Sequence, residues 1–283
     1  MMLSLNDPEI MLFDAIFNGN LIRVKRLIGS GISKNAILHS PTRWEGATVL
    51  GTAAYSGNLD IVKFLVRSGA SVNFQDPLLG RTALHWACMW PGADSGADVV
   101  EVLLIAGANI NYTDRDNMTP LLQAAMNKNS SAVKVLLEHG ADVNQVDRLK
   151  CSALHYAAFN GASKSCSEII RAGCVQNHWA IFGKGTPLAN LVHHDDVDNC
   201  RLLLAAGYSL GSDRHWLTCT QDTPSSELLV LIKDCLCKPA SLKALCRIKI
   251  RNSLNFNAVN SKQLHTLPVP LRMMSYLALE YLD

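Results

Sequence analysis

Residues 46–73 read GATVLGTAAYSGNLDIVKFLVRSGASVN, and residues 118–144 read MTPLLQAAMNKNSSAVKVLLEHGADVN. Superposed, they align Thr48 with Thr119, Ala53-Ala54 with Ala124-Ala125 and Gly69-Ala70 with Gly140-Ala141. The same frame fits residues 81–111, 151–174 and 185–207, with the leading positions Thr48, Thr82, Thr119, Ser152 and Thr186 spaced 34, 37, 33 and 34 residues apart. A period this regular marks a chain of like units, each one supersecondary element long. Thr48, Thr82, Thr119 and Thr186 are placed to cap a first helix, while Gly69, Gly107, Gly140 and Gly207 are placed to end a second in the left-handed conformation. Alanines 53, 54, 124, 125, 157 and 158 allow neighbouring helices to approach closely. Ile61, Val62, Leu65 and Val66 recur at helical spacing, and one helix pair alone has nothing to bury them against. The expected fold class is therefore all-α, a solenoid of about six repeats, with a small helical module after it.

These residues resemble the ankyrin repeat, whose T-P-L-H-x-A-A and L-L-x-x-G-A-D-x-N patterns run almost intact through the set. An earlier copy, LFDAIFNGNLIRVKRLIGSG at 12–31, lacks the T-P-L-H turn and reads as a degenerate capping repeat. The array is assigned to 1–209, with repeats at about 9–35, 44–73, 78–111, 115–144, 148–177 and 182–209. The third repeat is irregular: Thr82 to Gly107 is 25 residues, against 21 from Thr48 to Gly69, Thr119 to Gly140, Ser152 to Gly173 and Thr186 to Gly207. The extra four fall within MWPGADSGAD (89–98), where Pro91, Gly92 and Gly96 suggest a loop between the two helices.

Composition sets the class. The 283 residues are 48% apolar, 18% charged and 6% aromatic, with a net charge of +2, which describes a folded chain and excludes disordered or fibrous ones. The first residues, MMLSLNDPEI, carry Asp7 and Glu9 and no basic stretch, unlike a signal peptide. No 18-residue window is apolar enough to read as a membrane span. The cytoplasm is the expected location, with the nucleus also open to the chain. Nine cysteines is an odd count. Cys88, Cys151, Cys166, Cys200 and Cys246 lie in apolar helical patterns, as reduced thiols used as small hydrophobes do.

In ankyrin-type stacks the turn tips and the late positions of the first helix form the partner-binding face. By register, that resemblance implies Phe17, Tyr55, Met89 with Trp90, Met126, Phe159 and His193 on the helices. It implies Trp44, Leu78, Leu79, Arg115, Arg148 and Phe182 at the tips. Aromatic, methionine and arginine side chains are what interface cores are built from. The same side chains can also cover seams between repeats. Trp86 and Tyr156 follow the helix-start histidines His85 and His155 and read as core.

Residues 238–283 carry seven Lys or Arg against Glu280 and Asp283, for +5, leaving −3 on residues 1–237. A capping or linker helix is expected within 210–238, in PSSELLVLIKDCLCKP (224–239). In PASLKALCRIKIRNSL (239–254) Ser241 is an N-cap, and Leu242, Leu245, Cys246 and Ile250 share one face of a short helix. This spacing resembles the elongin-binding half of the SOCS box. LHTLPVPLRMMSYL (264–277) resembles the cullin-interacting half, with Leu267, Pro268, Val269 and Pro270 as its core. The two prolines hold that core extended and present Leu267 and Val269 to a groove. The chain as a whole, with a box at 239–283 divided into halves at 239–254 and 264–283, resembles the ankyrin repeat and SOCS box proteins. The resemblance implies elongin C with elongin B, a cullin scaffold of the cullin-five type with its RING subunit, and a target protein on the concave ankyrin face.

Cys235-x-Cys237 is too short a pair for zinc, and His215 and His265 are not at finger spacing. His193-His194-Asp195-Asp196 falls at a helix end, where polar residues are ordinary. No phosphate-binding or nucleophile motif occurs, so no catalytic residue, cofactor or metal is expected, nor a nucleic-acid or membrane partner. The function that the resemblance implies is non-catalytic: a substrate receptor of an elongin-cullin-RING ubiquitin ligase. The rival reading is an ankyrin scaffold or inhibitor that does not ubiquitinate. The apolar helix face at 242–250 and the Leu-Pro-Val-Pro turn separate the two, because a scaffold has no use for them.

Overall fold

The computed structural model describes residues 7–38, 47–89, 96–174, 180, 183 and 185–213. The predicted elongin-binding and cullin-binding residues, the helix expected within 224–239, and Trp44, Trp90 and Phe182 lie outside them. Twelve α-helices occur among the described residues, and the fold is all-α with almost no strand.

The helices come in pairs: α1 (Pro8–Phe17) with α2 (Leu21–Gly29), α3 (Val49–Tyr55) with α4 (Leu59–Arg67), α5 (Ala83–Cys88) with α6 (Gly96–Ile105), α7 (Pro120–Met126) with α8 (Ser130–Glu138), α9 (Ala153–Phe159) with α10 (Ser163–Arg171), and α11 (Pro187–His193) with α12 (Val197–Ala205). The chain divides into two units, Met1–Leu136 and Leu137–Asp283. In the first, α1, α3, α5 and α7 form an inner row and α2, α4 and α6 an outer one. In the second, α9 packs on α11 and α10 on α12. Two short strands, β1 (Ile37–Leu38) and β2 (Ala47–Thr48), pair antiparallel at the base of one turn.

The local signals act where the sequence places them. Thr48, Thr119 and Thr186 accept the N–H of Gly51, Leu122 and Ala189, satisfying first-turn donors. Gly69, Gly107, Gly140 and Gly207 all have positive φ, as the ends of the second helices require. The inner helices are almost wholly apolar and buried; Ala53, Ala54, Ala87, Ala124, Ala125, Ala157 and Ala158 are at most 1% exposed. One expectation is corrected. Gly96, read as part of a loop, is the buried first residue of α6. A glycine at a helix start costs little, and Val99, Val100 and Leu103 anchor the turns that follow.

The turns are held by side chains that the periodicity did not single out. Asp76, Asp114 and Asp147 precede the capping residue by six, five and five positions, and each is at most 7% exposed. Asp114 Oδ1 accepts the N–H of Asp116 and of Met118, both at 2.9 Å. Asp147 Oδ1 accepts those of Leu149 and Cys151 at 2.9 and 2.8 Å. Asp76 accepts the N–H of Leu79 through Oδ1 and that of Arg81 through Oδ2, and Oδ2 also accepts the indole N–H of Trp86 at 3.2 Å. In the fifth repeat the Tyr156 hydroxyl donates to Asp147 Oδ2. Trp86 and Tyr156, each 4% exposed, are thus core residues whose polar tips lock turn to helix. At the same register Gln123 is fully buried, and its amide meets no partner among the described residues.

His85 ties two repeats together. Its Nε2 lies 3.0 Å from the Met118 carbonyl oxygen, an acceptor only, so Nε2 carries the proton. Nδ1 is then bare and accepts from the Thr82 N–H at 3.2 Å and the Thr82 hydroxyl at 2.9 Å. Ser152 and His155 form the same capping contacts, at 3.2 and 2.8 Å. Burial pushes the His85 pKa below its ordinary 6.5, outweighing the Met118 bond and the Asp114 charge, which pull it up.

A buried neutral imidazole has a consequence for pH. The unfolded chain takes up a proton near pH 6.5 that the folded chain refuses, so stability is full above that value and is lost as the pH falls below it. Thermal melts at about pH 7.5 and about pH 5.5 should show a larger drop for the native protein than for His85→Gln, which has nothing to titrate there. An equal drop in both would mean that His85 does not carry this linkage.

Candidate functional site

In the first unit the ends of the inner helices bring aromatic rings together. Phe17 stacks on Phe13 with centroids 5.8 Å apart and planes 13° from parallel. Tyr55 meets Trp86 edge-on at 6.1 Å. Between the pairs lies a small apolar cleft, lined by Phe13, Phe17, Ala47, Thr52, Tyr55 and Trp86. Phe17 is half exposed, whereas Phe13 and Trp86 are buried, so the cleft has a fixed floor and an accessible lip. Gly51 is part of that floor. A Cβ there would come within 2.9 Å of the Trp86 ring, so a side chain at 51 would displace the indole.

Next along the inner row, Arg81 lies 5.4 Å over the Trp86 ring and pairs with Asp114 through Nε at 3.3 Å. Its Nη1 reaches the Met89 sulfur at 3.2 Å. Met89 is half-buried and Met126 is 37% exposed. At the tips, Leu78 and Leu79 are 49% and 37% exposed. Arg115 is also exposed, yet its guanidinium donates to the Pro77 carbonyl and its N–H to that of Leu79. It clips adjoining tips together, so any binding role is shared with a structural one.

In the second unit Phe159 is 39% exposed, Arg148 and His193 are exposed, and Leu149 is 48% exposed. Gly183 lies against Phe159: with φ +66°, a Cβ there would sit 2.6 Å from the ring and 2.8 Å from Asn190 Oδ1, so the turn needs glycine. His194 Nε2 donates to the Phe159 carbonyl at 2.9 Å, and its ring meets that of His193 at 64°. Asp196 caps α12 through Asn199 and accepts from the Ser163 hydroxyl at 2.7 Å. The His-His-Asp-Asp run is therefore partly a helix junction. Among the described residues no group of three or more metal-type side chains occurs.

Nucleophile chemistry has little to work with here. Cys88, Cys151, Cys166, Cys174 and Cys200 are buried free thiols. Burial pushes Cys88, Cys166 and Cys200 far up, and pushes Cys151 up to about 11, so all four stay protonated at neutral pH. None of the described helices is long and apolar enough to cross a membrane.

Family models bear on the whole chain. A model of ankyrin repeats in three copies matches residues 12–114 and 92–178, together more than half of the sequence, and a SOCS box model matches residues 238–278. The chain belongs to the ankyrin repeat and SOCS box proteins. No curated protein matches it. In ankyrin repeat and SOCS box proteins the repeats bind target proteins, the box generally docks elongin B/C and a cullin, and both are typically non-catalytic adaptor modules.

The cleft separates surface from core in a measurable way. Phe17→Ala, at a half-exposed position, should cost no more than about 1 kcal/mol of stability. Trp86→Ala removes a buried ring and the Asp76 bond and should cost about 3–5 kcal/mol. Urea unfolding of both variants checks this. Similar losses would mean that Phe17 is core rather than lip.

Proposed function

We propose that the chain is the substrate-recognition subunit of an elongin-cullin-RING ubiquitin ligase. The observation that carries the reading is the order of modules in one polypeptide: ankyrin repeats over 12–178, then a SOCS box over 238–278. The repeats hold the target. Phe17, Tyr55, Leu78, Leu79, Met89, Met126, Arg148, Phe159 and His193, with Trp44, Trp90 and Phe182, make up the target face; Arg115 contributes while clipping its tip. Leu242, Leu245, Cys246 and Ile250 enter a groove of elongin C, which brings elongin B. Leu267, Pro268, Val269 and Pro270 contact a cullin of the cullin-five type.

The chain performs no bond chemistry in this reading. Tethering converts the encounter of target lysine and ubiquitin thioester into an intramolecular event, at an effective concentration on the order of millimolar for flexible linkage. Rate is gained through proximity, with the thioester chemistry left to the RING subunit and its conjugating enzyme. Free buried thiols fit a reducing compartment such as the cytoplasm. The proposed division runs 1–209 for target binding, 210–238 as connection and 239–283 for ligase docking.

The test is co-purification. Leu242→Arg with Cys246→Phe puts a charge and a bulky ring on the apolar helix face and should abolish elongin recovery, while circular dichroism shows the repeats still folded. Replacing 267–270 with alanines should remove the cullin and spare elongin. Undiminished elongin with the double variant, or loss of both partners with the alanine block, would overturn the assignment.

A further inference from the structure

Apart from the cleft, the first unit carries a concentration of charge on its outer row. Arg23, Lys25 and Arg26 project from α2, Lys63 and Arg67 from α4, and Lys34 follows α2 in the chain. Against these six cations the same two helices set one carboxylate, Asp60, giving a local +5 in a chain whose net charge is only +2. No carboxylate among the described residues lies within ion-pair distance of any of the six. The adjoining α6 has the opposite sign, with Asp98 and Glu101 and no cation.

The patch also has an apolar strip. Ile22 is 74% exposed, and Lys25 and Arg26, three and four positions on, share its side of α2. Lys25 leans across to α4, its Nζ 5.6 Å from the centre of the Phe64 ring. Ile22, the Lys25 stem and Phe64 therefore run from α2 to α4, flanked by Arg23, Arg26, Lys63 and Arg67. The anchor of α2 in the stack is the fully buried Val24, not Ile22, and of the six cations Lys34 also donates to the Ser68 carbonyl at the end of α4.

We propose that this outer face of α2 and α4 is a second binding surface, separate from the cleft, and that it takes an acidic protein segment with an apolar residue among its carboxylates. Charge complementarity sets the sign of the occupant. Ile22 and Phe64 set its class: a nucleic-acid backbone makes no use of an apolar strip, and a lipid surface needs more apolar anchors than one isoleucine. The segment lies extended along the α2–α4 line, its carboxylates reaching the flanking cations and its apolar side chain covering the strip.

Fluorescence anisotropy on the full chain tests this with three probes: a labelled peptide of sequence Glu-Leu-Glu-Glu-Leu-Glu-Asp-Leu, a short labelled DNA duplex, and vesicles containing phosphatidylserine. The peptide should bind most tightly, and its affinity should fall severalfold as ionic strength rises from roughly 50 to roughly 300 mM. Arg23→Glu, Arg26→Glu and Lys63→Glu together should weaken it by at least about tenfold, given the small worth of each exposed pair. Because a triple reversal can disturb folding, Arg23→Gln with Arg26→Gln is run beside it and should weaken binding by a smaller but measurable factor. Absence of peptide binding, equal or tighter binding of DNA or vesicles, or affinity unchanged in both variants would each overturn the proposal.

Discussion

Three inter-repeat turns of this protein carry backbone N–H groups that a buried carboxylate satisfies. Asp76, Asp114 and Asp147 each accept two turn amides, and a buried amide left without an acceptor costs about 1–3 kcal/mol. The second carboxylate oxygen then fixes the turn to its surroundings, through Trp86 and Tyr156 within a repeat and through Arg81 between repeats. His85 adds a neutral bridge from Thr82 to the Met118 carbonyl of the following repeat. Each repeat stabilises mainly its neighbour, so rigidity is passed along by these contacts and by the apolar seams. The proposed target face, assembled from turn tips and helix ends, rests on these contacts within each unit.

The repeat, its caps and its glycines were legible in the sequence because each rests on local chemistry: a hydroxyl for N–H groups, a left-handed terminus, apolar side chains at helical spacing. Thr48, Gly69 and the paired alanines are placed by rules that span four residues or fewer. The turn aspartates were harder to see, since aspartate is common in loops and their value lies in burial. Their place five or six positions ahead of the capping residue was the available signal. Six positions ahead of Thr186 stands Ala180, whose N–H donates to the Gly185 carbonyl. Gly96 misled because glycine ordinarily breaks helices, and here the apolar turns after it prevail.

Of the candidate face, register alone identified which residues end the inner helices, but not what they do there. Arg115 proves to be a clip between tips, and Trp86, read as core, also floors the cleft beside Phe17 and Tyr55. The outer basic face was hidden by averaging: residues 1–237 sum to −3, while α2, α4 and Lys34 together hold +5. Charge is read by a partner over roughly a Debye length, about 10 Å, so the local sum is the relevant one.

The chain joins ankyrin repeats and a SOCS box, and the proposed function gives the first a target protein and the second a ligase. Ubiquitin-remnant proteomics on cells expressing either the full chain or residues 1–237 tests that assignment most directly. The account predicts a protein that co-purifies with both forms but gains ubiquitin on lysine only with the full chain. A co-purifying partner whose ubiquitination is the same with both forms would contradict it.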